Sequence, residues 1–248
     1  MTSRANASHV GSALSMVEIL KSLYELVDLR KIKDEANDRD RIILSKGHGT
    51  ASLYAVMYHY GLLSKSDIDC YCENGSLMAG HASHFINGVE HSTGALGHGL
   101  PVGLGIALGC RAKGIQNKVF VIVGDGELHE GSNWEAIMYA GHQKVSRLYL
   151  LIDKNEHSQL GETNQACNID PLKEKFDAFN FCTKEVDDGH DEKAIKKSII
   201  ETSQSKKPVA IICNTVKGKG ISFMEGNNLW HYRPPKGEDF LNAIKELE

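Results

Sequence analysis

The chain has 248 residues, 41% hydrophobic and 24% charged. This ordinary globular balance excludes disorder, collagen and coiled coil as descriptions of the whole. A net charge of −4 (28 basic, 32 acidic residues) leaves no electrostatic footprint for nucleic acid or an anionic membrane. The unusual count is histidine, at 12, four of which (His81, His84, His91, His98) crowd into eighteen residues.

In chain order, Leu14, Val17, Leu20, Leu23, Tyr24 and Val27 recur at helical spacing, and the polar run 31–41 reads as a loop. Ile42–Leu44 is a short apolar run ending at the turn Ser45-Lys46-Gly47-His48-Gly49, and 52–60 is helical. Residues 61–98 are rich in Gly and His with weak periodicity, the pattern of a long functional loop. A helix of small residues follows at 99–113. Apolar runs at 119–123, 148–152, 182–186 and 209–213 then alternate with helical patterns at 134–143, 171–179 and 192–202. Residues 217–236 read as a loop and 238–247 as a closing helix. Continuous apolar strands alternating with amphipathic helices predict an α/β fold, a parallel β-sheet flanked by helices on both faces, in one domain over 1–248.

No apolar run approaches the roughly 20 residues of a membrane span. The start, MTSRANASHVGSALS, has no apolar signal core. The six cysteines are scattered, and Cys110 and Cys213 lie in apolar contexts; they are expected as reduced core residues of a cytoplasmic protein. Cys70 and Cys72 with His81 and His84 carry zinc-type ligands, but at no standard zinc spacing.

In open parallel sheets ligands bind at the carboxyl ends of strands. After 119–123 comes Gly124-Asp125-Gly126-Glu127, and after 148–152 comes Asp153-Lys154-Asn155-Glu156-His157. If these strands pair, the Asp125 carboxylate and the Asn155 carbonyl meet, and hard oxygens from two loops suit Mg²⁺ beside phosphate oxygens. Gly124 and Gly126 allow backbone amides to approach a phosphate. The G-x-G-x-x-G and Walker spacings are both absent.

These residues carry a resemblance. GDGELHEGSNWEAIMYAGH followed by LLIDKN resembles the thiamine-diphosphate motif that opens with GDG and closes with Asn. Four further segments resemble the transketolase family in the same order: Ser8-His9-Val10-Gly11, RDRIILSKGHGTASLYAVMYHYG, Gly80-His81 with STGALGHGLPVGLGIA, and NTVKGKGISFMEGNNLWH. Together they cover nearly the whole chain and match the amino-terminal, diphosphate-binding part of a transketolase.

The resemblance implies the thiamin-diphosphate-binding fold, with thiamine diphosphate and Mg²⁺ (or Ca²⁺ or Mn²⁺) as cofactors. Asp125 and Asn155 would bind the metal by side chains, and His157 by its backbone carbonyl. Gly126 and Glu127 would face the diphosphate; His48 and His231 would hydrogen-bond it. Gly94 and Leu96 would contact the aminopyrimidine, and Glu130 would join an acidic network at a subunit interface. His9 and His81, with His48 and His231, would line a channel for a ketose, where imidazoles can exchange protons with hydroxyl and carbonyl oxygens at neutral pH. His59, His84, His142 and His190 are expected to be ordinary structural residues, and His98 stands where Gln is common in the family.

A full-length transketolase is more than twice this long. The half that binds the pyrimidine and supplies the glutamate driving cofactor activation is expected on a partner chain, in a heterotetramer. The small-residue helix 99–113 is a candidate for that interface. Activity is expected only with the partner: transfer of a two-carbon ketol unit from a ketose or its phosphate to an aldose. The alternatives are the alpha-type subunit of a 2-oxo-acid dehydrogenase, which shares the GDG…N element, and a non-catalytic cofactor-binding partner.

Overall fold

The computed structural model describes residues 1–248. All five apolar runs form strands: β1 (Arg41–Leu44), β2 (Val119–Gly124), β3 (Leu148–Lys154), β4 (Cys182–Val186) and β5 (Val209–Asn214). They make one parallel sheet in the order β1-β2-β3-β5-β4. Successive side chains of a strand point to opposite faces, so each central strand feeds two cores. Phe120, Ile122, Tyr149 and Leu151 pack on one face with the helices Val17–Leu26, Thr50–His59 and Glu192–Glu201. Val119, Val121, Val123, Leu148, Leu150 and Ile152 pack on the other with Gly99–Ala112, Gly131–His142 and Leu172–Ala178. This double burial explains why β2 and β3 are continuous apolar runs rather than alternating ones. β4 lies at an edge and is less buried, in keeping with its Lys184 and Glu185.

Four departures from the sequence reading have physical causes. The apolar stripe from Leu14 to Val27 is two helices, Val10–Leu14 and Val17–Leu26, broken at Ser15 and Met16; the Ser15 hydroxyl is committed to the buried Asp153 carboxylate at 2.6 Å. The polar run 31–41 begins inside a short helix, Leu29–Lys33, started by Asp28, whose carboxylate accepts the Arg30 and Lys31 amides. The long 61–98 segment contains a turn of helix, Lys65–Asp69, held by a Ser64/Asp67 capping box. The 217–236 segment contains a turn of helix at Leu229–Tyr232 and buries Ile221, Met224 and Trp230 against Val10 and Ala243.

The cysteines also differ from expectation. All six are free thiols, but only Cys213 is buried; Cys110 is half-buried, and Cys72 and Cys167 are exposed. No helix is long and apolar enough to cross a membrane.

Candidate active site

The carboxyl ends of β1, β2 and β3 open onto a cavity of about 410 Å³. Four histidines remote in sequence meet there. The ring centroid of His9 lies 5.2 Å from His48, 5.8 Å from His81 and 5.0 Å from His231, and His48 lies 5.6 Å from His231. Each arrives on a different segment: His9 before the helix Val10–Leu14, His48 in the turn after β1, His81 in the long loop and His231 in the short turn Leu229–Tyr232. The first and last are tied by the His9 amide, which donates to the His231 carbonyl at 2.7 Å. His9 sits in the left-handed region at φ 70°, a costly backbone conformation that persists only where its surroundings enforce it. Gly94 (φ 152°) runs so close to His81 that a Cβ there would lie 2.9 Å from the ring.

Burial, with His81, Lys217 and Lys46 nearby, lowers the His9 pKa to about 4. Burial and then Lys217 lower His231 to about 3. His48 is pushed well down by burial and by Lys46. These three imidazoles are therefore neutral at pH 7 and free to accept or exchange protons rather than to act as fixed cations. Nδ1 of His9 meets Ser8 Oγ at 3.0 Å and Nδ1 of His231 meets Ser12 Oγ at 3.4 Å, so on both rings Nε2 is the nitrogen left for a ligand.

The opposite wall holds the acidic loops. β2 and β3 do pair, with Gly124 opposite Asp153, which brings Asp125 and Asn155 together as their spacing predicts. Asp125 is 2% exposed and accepts the amides of Gly126 (2.8 Å) and Glu156 (2.7 Å) and the Thr163 hydroxyl (3.1 Å). Burial, reinforced by the charge on Asp153, lifts its pKa to about 6. Asn155 Oδ1 accepts the His157 amide at 3.1 Å, and the His157 carbonyl has no protein donor. One buried carboxylate, one amide oxygen and one free peptide carbonyl are a hard-oxygen donor set, which fits Mg²⁺ or Ca²⁺ and supplies no soft ligand. No group of three or more His, Cys, Asp or Glu side chains is arranged to hold a metal, so Cys70, Cys72, His81 and His84 do not assemble as one. Gly126 lines the cavity against Ser158, where a Cβ would come within 3.0 Å of the serine side chain, and in this structure its amide is held by Asp125 rather than left free.

Glu127 and Glu130 lie differently. Glu127 is 2% exposed, and its carboxylate is spent on the protein: it accepts the Ser45 hydroxyl and the amides of Gly97 and Gly124, pinning together three segments around the cavity. Glu130 is exposed at the rim beside Leu96. His98 is exposed and bonds the Leu96 carbonyl at 3.0 Å, just ahead of the 99–112 helix. That helix turns Gly105 and Gly109 to solvent. His190 is structural, held between Glu18 and the Val216 amide. Sequence reading missed the buried lysines. Lys46 lines the cavity and pairs with Asp153, and burial, with Lys46 next, lowers Lys217 to about pH 8. Their signal was the cationic residue within each Gly-flanked turn, Lys46-Gly47 and Lys217-Gly218.

These features define a parallel α/β protein whose strand ends present an oxygen-rich wall facing a cluster of neutral imidazoles. The chain belongs to the family described as transketolase, thiamine diphosphate binding domain, which it matches over residues 1–247. It is 40% identical, over 97% of its length and 87% of the relative's, to one of the subunits of an apulose-4-phosphate transketolase from Actinobacillus succinogenes. It is 33% identical, over 99% of its length and 90% of the relative's, to a 6-deoxy-6-sulfo-D-fructose transketolase subunit of a Clostridium species. Among solved structures, transketolase from Campylobacter jejuni superposes with a TM-score of 0.90 at 30% identity, covering 99% of this chain and 40% of that one.

Proposed function

We propose that this chain is the diphosphate-binding subunit of a split transketolase, moving a two-carbon ketol unit from a ketose or ketose phosphate to an aldose. The observation that carries the reading is the meeting of His9, His48, His81 and His231 in one cavity opposite Gly124, Gly126 and Asn155, with the Asp125 carboxylate buried just behind that wall. Relatives named as transketolase subunits, matched over most of their own length, support the division between two chains.

Thiamine diphosphate, when bound, supplies the electron sink for the carbanion left by C–C cleavage. Asp125, Asn155 and the His157 carbonyl would hold a divalent cation against the diphosphate; the Gly126 amide, His48 and His231 would bind the diphosphate itself. Gly94 and Leu96 would offer backbone groups to the aminopyrimidine, and Glu130, at the rim, would meet the partner. Nε2 of His9 and of His231, both neutral, are suited to exchange protons with the hydroxyl and carbonyl oxygens of the sugar, and His81 to orient it. The pyrimidine-binding half would lie on the partner chain, so activity would require both, and by analogy with the family the assembly would be a heterotetramer of two chains of each kind. The polyhydroxyl-facing histidines argue against a 2-oxo-acid dehydrogenase subunit, and the retained Asp125 and Asn155 against a non-catalytic relic.

The test is to combine the two subunits with thiamine diphosphate and Mg²⁺ and follow consumption of a panel of ketoses and of 2-oxo acids. Ketose consumption is expected. Turnover confined to 2-oxo acids would overturn the proposal.

A further inference from the structure

Asp153 is the last residue but one of the central strand, paired with Cys213 of β5, and is entirely buried. A carboxylate in such a place costs several kcal/mol unless it is paired and hydrogen-bonded. Four segments converge to satisfy it. Oδ1 accepts the Thr215 hydroxyl from the end of β5. Oδ2 accepts the Lys46 ammonium from the turn after β1, the Ser15 hydroxyl at 2.6 Å and the Asn155 amide nitrogen at 3.3 Å. Lys46 is anchored in turn by the Ser12 carbonyl at 3.1 Å.

The arrangement constrains Asn155. The Ser15 hydroxyl has one proton and two acceptors for it, Asp153 at 2.6 Å and the Ser12 carbonyl at 3.1 Å, so towards Asn155 its oxygen can only accept, which it does at 3.2 Å. An ionised carboxylate is likewise acceptor-only. Both inward neighbours of the Asn155 amide are thus acceptors, and only its NH₂ group can face them. Its carbonyl oxygen is forced to the other side, where it takes the His157 amide, in the same loop whose Glu156 amide binds Asp125. Without the two acceptors, the amide could turn over and present NH₂ to the cation site, which would repel a cation.

We propose that Asp153, acting with Ser15, is a positioning residue that sets the orientation of the Asn155 amide and so makes its carbonyl a metal ligand. This rests on the cation and diphosphate reading of the site. Asp153 touches neither cofactor nor substrate; it acts through Asn155, as outer partners of metal ligands do elsewhere.

The test measures Mn²⁺ binding by electron paramagnetic resonance on the full chain, with thiamine diphosphate and the partner half present, and melting of the full chain without ligands. Three variants separate position from stability. Asp153→Asn removes the acceptor-only partner and is expected to weaken Mn²⁺ binding about 10-fold or more. Ser15→Ala removes one of the two inner acceptors and is expected to weaken it roughly 3-fold. Thr215→Val removes a donor to the other Asp153 oxygen; it is expected to lower the melting temperature while leaving Mn²⁺ affinity within about 2-fold. Should Asp153→Asn fail to fold, the contrast between Ser15→Ala and Thr215→Val still decides. Equal Mn²⁺ losses in those two, or wild-type affinity in Ser15→Ala and Asp153→Asn, would overturn the inference. Absence of Mn²⁺ binding in the wild type would instead overturn the cation reading, and the inference with it.

Discussion

Replacing Glu127 by Gln keeps the shape of a buried side chain and changes only what it can accept. In the native protein Oε1 takes the Ser45 hydroxyl and the Gly97 amide at 3.0 Å, and Oε2 takes the Gly124 amide at 3.3 Å. A Gln nitrogen can only donate. In one orientation it confronts the Gly124 N–H, in the other the Gly97 N–H and the serine hydroxyl. At least one buried amide loses its acceptor, at about 1–3 kcal/mol. Burial raises the pKa of Glu127, so removing the charge recovers part of this. The net expectation is a loss of about 1–2 kcal/mol, or a fall in Tm of roughly 3–6 °C for a chain of this size. Because Gly97 follows Leu96 and Gly124 precedes Asp125, the same substitution should weaken thiamine diphosphate binding by about 3–10-fold. Calorimetric melting without ligand and a tryptophan-fluorescence titration with cofactor and Mg²⁺ measure the two effects. A Tm unchanged within experimental error, together with unaltered affinity, would refute the assignment of Glu127 as the pin between these segments.

Asp125→Ala or Asn155→Ala should abolish Mg²⁺-dependent cofactor binding in equilibrium dialysis; undiminished affinity in both would remove the metal assignment. His81→Ala should raise the KM for ketose donors more than it weakens the cofactor, and equal effects in steady-state kinetics and binding would move His81 to a structural role. The folded-state pKa values of His9 and His231, about 4 and about 3, lie below the ordinary value near 6.5. Only the unfolded chain takes up these protons as pH falls below about 6.5, so stability conferred by the neutral cluster is intact above that pH and is lost on the way down to about 4. Urea unfolding from pH 7.5 to 4.5 should accordingly show a shallower decline for His9→Gln than for the wild type, and parallel curves would contradict the buried, neutral state.

The elements that local pattern decides were legible. The five expected strands all formed; β2, β3 and β5 were plain because a strand buried on both faces reads as a continuous apolar run, while β4, at the edge, was found by its place between two helical patterns. The pairing of the Asp125 and Asn155 loops followed from the adjacency of β2 and β3. The histidine cluster was not legible from pattern at all: His9, His48, His81 and His231 share no periodicity, and only the resemblance of their flanking motifs grouped them. What stayed hidden is what distant segments do for one another. Asp153 reads as a loop residue after an apolar run, yet β3 runs on through it, because Lys46, Ser15 and Thr215 arrive from three other segments to meet its carboxylate. The Leu29–Lys33 turn escaped because a short charged helix with a side-chain cap has no apolar stripe to betray it.

The central claim is ketol transfer across a site shared with a second subunit. Its most direct measurement follows carbon. The chain and its partner half, with thiamine diphosphate and Mg²⁺, are supplied with a ketose labelled with ¹³C at its first two carbons and an unlabelled aldose, and the products are read by NMR. The account predicts an intact labelled pair at the head of a lengthened ketose, formed only when both subunits are present. Transfer by either chain alone, or label recovered without a new ketose, would contradict it.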